Sequence, residues 1–365
     1  NLANFASLMK SINHILSKKD KPIIISGPCS AESEERLIQT AIALKALNKV
    51  DVLRAGIWKP RTKPGSFEGV GLEALKWLQK AKKATDLKTA TEVANTQHVE
   101  EALKYDVDVL WIGARTTVNP FVVQEIADAL HGTDATVLIK NPINPDLQLW
   151  EGAIERFAKV GITKIGAIHR GFSKYGDSYY RNPPQWQIPI ELMQHYPDLT
   201  MICDPSHICG KRDNLFTVAQ KAMDLDFDGL MIEAHLDPDN ALSDALQQIT
   251  PQTLEKFISQ LVVRKTKLNP TLTTELDKIR RSINVLDGEL LDVLSKRMEL
   301  INELAQYKKD NNIQILQPKR WEEILLKALE EAKEKGLSER FIRNLFTEIH
   351  IESIKLQSNI MNEEN

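Results

Sequence analysis

Within the first 240 residues the apolar positions gather into eight short, β-rich runs. These are Pro22 to Ser26, Val50 to Leu53, Leu87 to Thr91, Val107 to Ile112, Thr136 to Ile139, Ile165 to Ile168, Leu199 to Cys203 and Gly229 to Ile232. Between them, stretches such as Glu34 to Leu47, Leu72 to Ala84, Pro120 to Leu130 and Leu147 to Val160 carry helical spacing. Strand alternating with helix eight times predicts a (β/α)8 barrel, an α/β fold whose reactive groups sit where the strands end. Leu2, Phe5, Leu8, Met9, Ile12, Ile15 and Leu16 also have helical spacing and predict an N-terminal helix packed on that barrel.

The pattern changes after Val263. Arg264-Lys265-Thr266-Lys267 leads into Asn269-Pro270, a polar, helix-breaking connection, and beyond it no strand pattern recurs. We therefore expect a barrel domain over 1–263, a linker over 264–272 and an all-α three-helix domain over 273–365. Its first helix is predicted from about Thr273 to Lys308, with Leu276, Ile279, Ile283, Leu286, Leu290, Leu294, Ile301 and Leu304 on one face. At 100° per residue Arg280, Arg297 and Lys308 fall inside the same arc. An unpaired charge on a buried face costs several kcal/mol, so a partner is required, either an acid such as Asp287 or an anionic ligand. About 36 residues make a helix roughly 54 Å long, too long for two shorter helices to cover, and a homodimer would bury the rest. Arg280 and Arg297 lie roughly 26 Å apart along one axis, so each small-ligand site would take one of them from the partner chain. Pro318 suits the first turn of a second helix and Gly336 its end, while Ser338 suits the cap of a third that runs to about Met361.

Bulk numbers narrow the class. An eight-fold barrel takes about 250 residues, so a chain of 365 has room for a second domain. The net charge, 47 minus 50 or −3, gives no reason to expect nucleic acid or an anionic membrane as partner. Three cysteines, an odd number, suit a reducing compartment with free thiols. No apolar stretch approaches the ~18 to 20 residues of a membrane span and no signal-peptide core is evident, so a soluble cytoplasmic protein is expected.

The residues just beyond the runs carry the candidate chemistry. Arg54, Lys59, Arg61, Arg115, Lys140 and Arg170 come after strand ends and would meet at one mouth, where such a set of cations calls for an anionic ligand, although any one of them alone reads equally as a solvated surface group or an ordinary ion-pair partner. Arginine grips phosphate or carboxylate with a planar fork that lysine lacks, so the mixture suits a substrate bearing both groups. Cys29, His207, Glu233 and Asp244 make a mixed thiolate, imidazole and carboxylate set for a divalent metal such as Mn, Fe, Co or Zn. A buried Cys29, a core His207 and a capping Asp244 account for the same residues without metal, and Cys209 and His235 are rival ligands. Cys203, inside a strand, reads as core. Glu92 and Asp204 read as supporting or proton-handling groups, or as plain structure.

Several motifs, in order, carry a resemblance. Ser26-Gly27-Pro28-Cys29-Ser30, Leu53-Arg54-Ala55-Gly56-Ile57-Trp58-Lys59-Pro60-Arg61-Thr62, Ile112-Gly113-Ala114-Arg115, Leu138-Ile139-Lys140-Asn141, His169-Arg170-Gly171 and Cys203-Asp204-Pro205-Ser206-His207 together resemble the 3-deoxy-D-arabino-heptulosonate-7-phosphate (DAHP) synthases. The resemblance spans nearly all of residues 20–262 and is greatest to the compact bacterial subfamily, type I beta-like, shared with the 3-deoxy-octulosonate-8-phosphate synthases. It implies metal ligands at Cys29, His207, Glu233 and Asp244, with phosphoenolpyruvate held by Arg54, Lys59, Arg115, Lys140 and Arg170. It also implies erythrose 4-phosphate at Pro60, Arg61 and Thr62, where the octulosonate enzymes have Lys-Ala-Asn-Arg across the positions of Lys59-Pro60-Arg61-Thr62. Catalytic duty falls on Lys59, Cys29 and His207, with Lys59 placed to protonate the emerging alkoxide.

Residues 273–361 resemble the all-helical chorismate mutases, of the AroQ type, without a gap. Arg280, Arg297, Lys308, Ser353 and Gln357 fall at that family's substrate positions, with Arg297, Lys308 and Gln357 in catalytic roles. Where the family often has two acids near the substrate hydroxyl, this chain has Gln317 and Trp321, and Trp321 has no accepting group. Both resemblances together imply a bifunctional shikimate-pathway enzyme under feedback by prephenate or chorismate. A rival reading makes the helical domain a regulatory, dimerising module, and another makes the barrel an octulosonate synthase.

Overall fold

A computed structural model describes residues 11–17, 22–59, 65, 67–176, 178–264 and 270–362. The chain divides into two units, Asn1–Thr266 and Lys267–Asn365.

In the first unit eight parallel strands close a barrel in sequence order: β1 (Ile23–Gly27), β2 (Val52–Arg54), β3 (Lys88–Val93), β4 (Val109–Ile112), β5 (Thr136–Lys140), β6 (Ile165–His169), β7 (Thr200–Cys203) and β8 (Gly229–Glu233). Closure is between β1 and β8, with Ser26 opposite Ile232 and Gly27 opposite Glu233. The two-residue period of each strand sorts its side chains. Ile23, Ile25, Val52, Ala90, Val109, Trp111, Leu138, Ile168, Ile202 and Met231 fill the interior. Alternate residues such as Ile24, Leu53, Leu110, Ile139 and Cys203 face the surrounding helices. Several strands run one residue past the apolar runs, and Arg54, Lys140, His169 and Glu233 are their last rungs rather than loop residues. The backbone ladder does not depend on side-chain polarity, so it continues until the chain turns.

The crossover helices include α2 (Glu34–Ala46), α3 (Leu72–Thr85), α4 (Thr96–Lys104), α6 (Pro120–Ala129), α7 (Leu147–Lys159), α8 (Gln187–His195), α10 (Leu215–Asp224) and α11 (Pro251–Gln260); α5 (Ala114–Thr117) and α9 (Pro205–Cys209) are single turns at strand ends. Ser33, Asn95, Asp146 and Thr250 cap four of the longer helices through side-chain oxygens. Ahead of β1 a short helix, α1 (Asn13–Leu16), plugs the end of the barrel away from the strand C-termini. Ile12 and Leu16 enter the interior cluster, and the Ile12 amide donates to Thr200 Oγ1 at 3.0 Å. The longer helix expected from Leu2 begins outside the described residues.

The second unit has α12 (Pro270–Asp310), α13 (Pro318–Glu334) and α14 (Glu339–Asn362). α12 starts three residues before the expected Thr273, because proline fits a first helical turn, where its missing N–H costs nothing. Ser338 Oγ accepts from the Phe341 amide at the start of α14. Along α12 Ile279, Ile283, Leu286, Leu290 and Leu300 are exposed in the single chain. Arg280 pairs with Asp277 at 3.4 Å, one turn earlier, and not with Asp287. Both partners are on the exposed surface, so no burial cost forces the pairing. Among the described residues no helix is long and apolar enough to cross a membrane.

Candidate active sites

The barrel mouth is built from the last rungs of the strands and the turns after them. Gly27 ends β1 at φ +153°, and a Cβ there would lie 2.0 Å from the Arg54 carbonyl oxygen, so only glycine lets β1 and β2 end together. Arg54 is fully buried, and its Nη2 donates to the Cys29 carbonyl at 3.0 Å. Its Nη1 lies 3.1 Å from Glu233 Oε1, without hydrogen-bond alignment. Trp111 forms a floor, its ring 4.8 Å from the Arg54 guanidinium and 5.7 Å from Lys140 Nζ, and its indole N–H donates to Glu92 at 2.9 Å. Gly113 leaves room for that carboxylate, since a Cβ would meet Glu92 Oε1 at 2.1 Å.

Lys59 Nζ lies 3.0 Å from both the carbonyl oxygen and the sulfur of Cys29. Burial opposes its charge, but Cys29 and Glu233 beside it outweigh that and leave its pKa raised. Lys140 Nζ and His207 Nδ1 each lie 2.8 Å from Asp204 Oδ2. Burial works against the Asp204 carboxylate, yet His207 and Lys140 hold its pKa well below the usual range. Arg170 is buried, and burial pushes its pKa down to about 10 against the pull of Asp204, with Arg181 and Arg115 adding repulsion. Arg115 itself is exposed in the first turn of α5. Two members of the cation row are thus paired: Arg54 with Glu233 and Lys140 with Asp204. A charge in that much protein is costly without its counter-charge, which the sequence places far away. Pro60, Arg61 and Thr62 lie outside the described residues.

Four donors line one side of this mouth as two pairs. Cys29 Sγ is 3.3 Å from Asp244 Oδ2, and His207 Nε2 is 3.8 Å from Glu233 Oε1. Among the described residues no three His, Cys, Asp or Glu side chains close on a single metal-binding point. By donor chemistry the set nevertheless suits a divalent transition metal. His207 turns Nδ1 to Asp204 and leaves Nε2 for a ligand, while Glu233 Oε1 is a buried acceptor with no hydrogen-bond donor among the described residues. Burial, with Glu233 next, pushes the Cys29 thiol up to about 12, so a bound cation would have to displace its proton. The rival imidazole, His235, is engaged elsewhere: its Nδ1 accepts from the Asp237 amide, and its Nε2 faces Glu32 at 3.6 Å.

Sequence reasoning missed three residues here. Arg181 binds Asp244 at 3.0 Å, Gln247 donates to Glu233 Oε2 at 2.7 Å, and Trp111 floors the cation row. The only signal for Trp111 was its inward parity on β4; Arg181 lies in the long connection after β6 and Gln247 in a single 3-10 turn (Ala245–Gln247) after β8, and the sequence does not disclose where either leads.

In the helical unit Arg297 Nη1 donates to Ser353 Oγ at 2.8 Å, and Lys308 Nζ donates to Gln357 Oε1 at 3.0 Å and to the Ile315 carbonyl at 2.7 Å. Lys308, Ser353 and Gln357 are buried, and burial lowers the pKa values of Arg297 and Lys308. Four of the expected substrate positions therefore meet within one chain. Arg280 lies apart from them with Asp277, and Gln317 is exposed at the N-cap of α13.

Comparison with known proteins agrees with both halves. Residues 7–269 match the DAHP synthetase I family, and residues 279–358 match chorismate mutase type II. A phospho-2-dehydro-3-deoxyheptonate aldolase of Thermotoga maritima is 29% identical over 238 residues, 65% of this chain and 68% of that one. A 2-dehydro-3-deoxyphosphooctonate aldolase of Helicobacter pylori is 30% identical over 284 residues, 70% of this chain and 98% of that one. The crystal structure of the Thermotoga maritima DAHP synthase superposes with a TM-score of 0.60 at 28% identity, covering 66% of this chain and 68% of that one. The domain pair is that of a bifunctional shikimate-pathway enzyme, a transferase joined to an isomerase. This chain belongs to the DAHP synthetase I family, with a chorismate mutase type II domain after its barrel.

Proposed function

We propose that the barrel condenses phosphoenolpyruvate with erythrose 4-phosphate to DAHP and phosphate, and that the helical domain rearranges chorismate to prephenate. What supports the first most directly is the burial of Arg54, Lys140 and Arg170 at one mouth beside Lys59 and the donors Cys29, His207, Glu233 and Asp244. Arg54, Lys59, Arg115, Lys140 and Arg170 hold the phosphate and carboxylate of phosphoenolpyruvate, and its negative charge relieves the repulsion felt by Arg170. Pro60, Arg61 and Thr62 hold erythrose 4-phosphate. C3 of the enol attacks the aldehyde carbon, Lys59 gives a proton to the alkoxide oxygen, water adds at C2, and phosphate leaves. Cys29, His207, Glu233 and Asp244 would hold a divalent ion of the Mn, Fe, Co or Zn class, which would supply Lewis acidity at the aldehyde or at water.

The mutase reaction needs no nucleophile. Arg297 and the partner's Arg280 clamp the two carboxylates, Lys308 and Gln357 stabilise charge on the ether oxygen, and Ser353 and Gln317 complete the pocket. The exposed apolar row on α12 supports the homodimer this requires. Prephenate or chorismate in this pocket inhibits the barrel.

The test is the full-length protein assayed with phosphoenolpyruvate and either erythrose 4-phosphate or arabinose 5-phosphate, with and without chelator, and separately with chorismate. Erythrose 4-phosphate should turn over faster, and chelator should abolish that activity while sparing the mutase. Faster use of arabinose 5-phosphate would move the barrel to the octulosonate reaction. A protein that dimerises without converting chorismate would leave the helical unit as a regulatory module.

A further inference from the structure

Trp321 occupies a position where the mutase resemblance puts an acid facing the substrate hydroxyl, whereas an indole has a single N–H donor and accepts nothing. Trp321 does not stand alone. His350 of α14 lies flat on it, ring centroids 4.1 Å apart and planes 11° from parallel.

His350 precedes Ser353 by three residues and Gln357 by seven, so all three share one face of α14. That face receives Arg297 and Lys308. The His350 ring nitrogens carry no hydrogen bond to any described residue, and the ring is half-buried. Burial first, and the Arg297 cation second, hold its pKa below the usual value. A neutral imidazole has one donating and one accepting nitrogen, which an indole cannot match. Plain helix-to-helix packing would also produce a stack, but it gives no reason for a polar ring on the row of pocket side chains.

We propose that His350, held flat against Trp321, binds the ring hydroxyl of chorismate and supplies the acceptor that Trp321 lacks. This rests on the reading of Arg297, Lys308, Ser353 and Gln357 as the chorismate pocket. Trp321 is then a positioning residue, fixing the plane in which the imidazole edge is presented.

The experiment is steady-state mutase kinetics on the full chain with chorismate and with an analogue lacking the ring hydroxyl. His350→Phe keeps the stack and removes both nitrogens. Its kcat/KM for chorismate should fall about ten- to a hundredfold, the loss expected for one buried hydrogen bond at about 1.4 kcal/mol per tenfold. With the deoxy analogue its kcat/KM should equal that of the parent. His350→Gln, which retains an accepting group, should lose less than His350→Phe. An equal penalty on both substrates, or no penalty on either, overturns the proposal, and a thermal unfolding midpoint within a few degrees of the parent certifies the fold. Arg297→Ala separates the two levels of inference. If it leaves chorismate conversion intact, the pocket assignment itself fails, whereas a lost activity beside an unaffected His350→Phe defeats only the role of His350.

Discussion

Asp244 and Arg181 are 63 positions apart in the chain and 3.0 Å apart in the barrel mouth. Asp244 sits at φ +48°, in the left-handed region that aspartate tolerates and most residues avoid, and burial opposes its charge. Arg181, ahead of the smaller contributions of Lys59 and His207, keeps it ionised well below the usual carboxylate range. An orienting partner of this kind typically contributes 10- to 100-fold to metal affinity, so Arg181→Ala should weaken binding of a divalent ion by about that factor, read by chelator competition. Thermal stability should barely change, because Arg181 is half-exposed. An unaltered affinity would remove Asp244 from the ligand set. His169 poses the opposite problem. It is fully buried among Trp150, Phe172, Trp186 and Phe227, and burial, helped by Arg170 and opposed by Asp204, pushes its pKa down to about 3. The unfolded chain takes up the proton near the ordinary 6.5, so this stability is complete above that pH. It is lost as pH falls from about 6.5 toward about 3, by up to ~1.4 kcal/mol per unit. His169→Phe should therefore gain on the parent protein as denaturant unfolding of the barrel is repeated from pH 7.5 down to pH 4.5, reaching a relative shift of roughly 2 to 3 kcal/mol. A constant difference between the two proteins across that range would refute the account.

At the scale of elements, what the sequence disclosed and what it hid have separate causes. Hydrophobic period is a local property, so all eight strands and the long helices were legible from runs such as Ile165 to Ile168 and Leu147 to Val160. Their ends were not. Arg54, Lys140 and Glu233 read as loop residues because a charge normally marks exposure, yet each is buried against a partner brought in by another strand. The same limit applied to the site: residue types and order exposed Cys29, Lys59 and His207, but the pairing of Lys140 with Asp204 exists only once β5 and β7 end at one mouth. In the helical unit the apolar arc held the three cations Arg280, Arg297 and Lys308, but which of them meet Ser353 and Gln357 depends on how α14 packs along α12. α1 shows a modest element with a large packing role. Leu16 is buried in the interior cluster, so Leu16→Ala should destabilise the barrel by about 2 to 5 kcal/mol through lost burial and the void it leaves. A denaturant midpoint that fails to move would mean that the barrel end collapses around the smaller side chain. If two chains pair along α12 as proposed, replacing the exposed Leu290 with aspartate should leave monomers by sedimentation and abolish mutase activity, since the partner's Arg280 would be lost. A fully active monomer would show that one chain completes the pocket.

Two enzymes sit on one chain, yet the product of the first is not the substrate of the second, so passing an intermediate between sites cannot be what the fusion accomplishes. Energetic coupling remains. If prephenate binds the Arg297 and Lys308 pocket and favours an arrangement in which the barrel is less competent, it inhibits the synthase only by its differential affinity for the two arrangements. Linkage then makes the effect reciprocal: whatever factor prephenate imposes on phosphoenolpyruvate binding, phosphoenolpyruvate imposes on prephenate. Couplings of this kind run to about 5- to 150-fold, large enough to measure by titration calorimetry from either side. We expect prephenate affinity to fall in saturating phosphoenolpyruvate by the same factor by which phosphoenolpyruvate affinity falls in saturating prephenate. Arg297→Ala should abolish both effects while leaving uninhibited synthase turnover, which uses the other unit, near its starting value. Synthase activity unchanged at saturating prephenate would refute coupling altogether. Two unequal binding factors would mean that a second prephenate site, for which the cationic barrel mouth is the natural candidate, accounts for part of the inhibition, because one pocket linked to one equilibrium permits only a single factor.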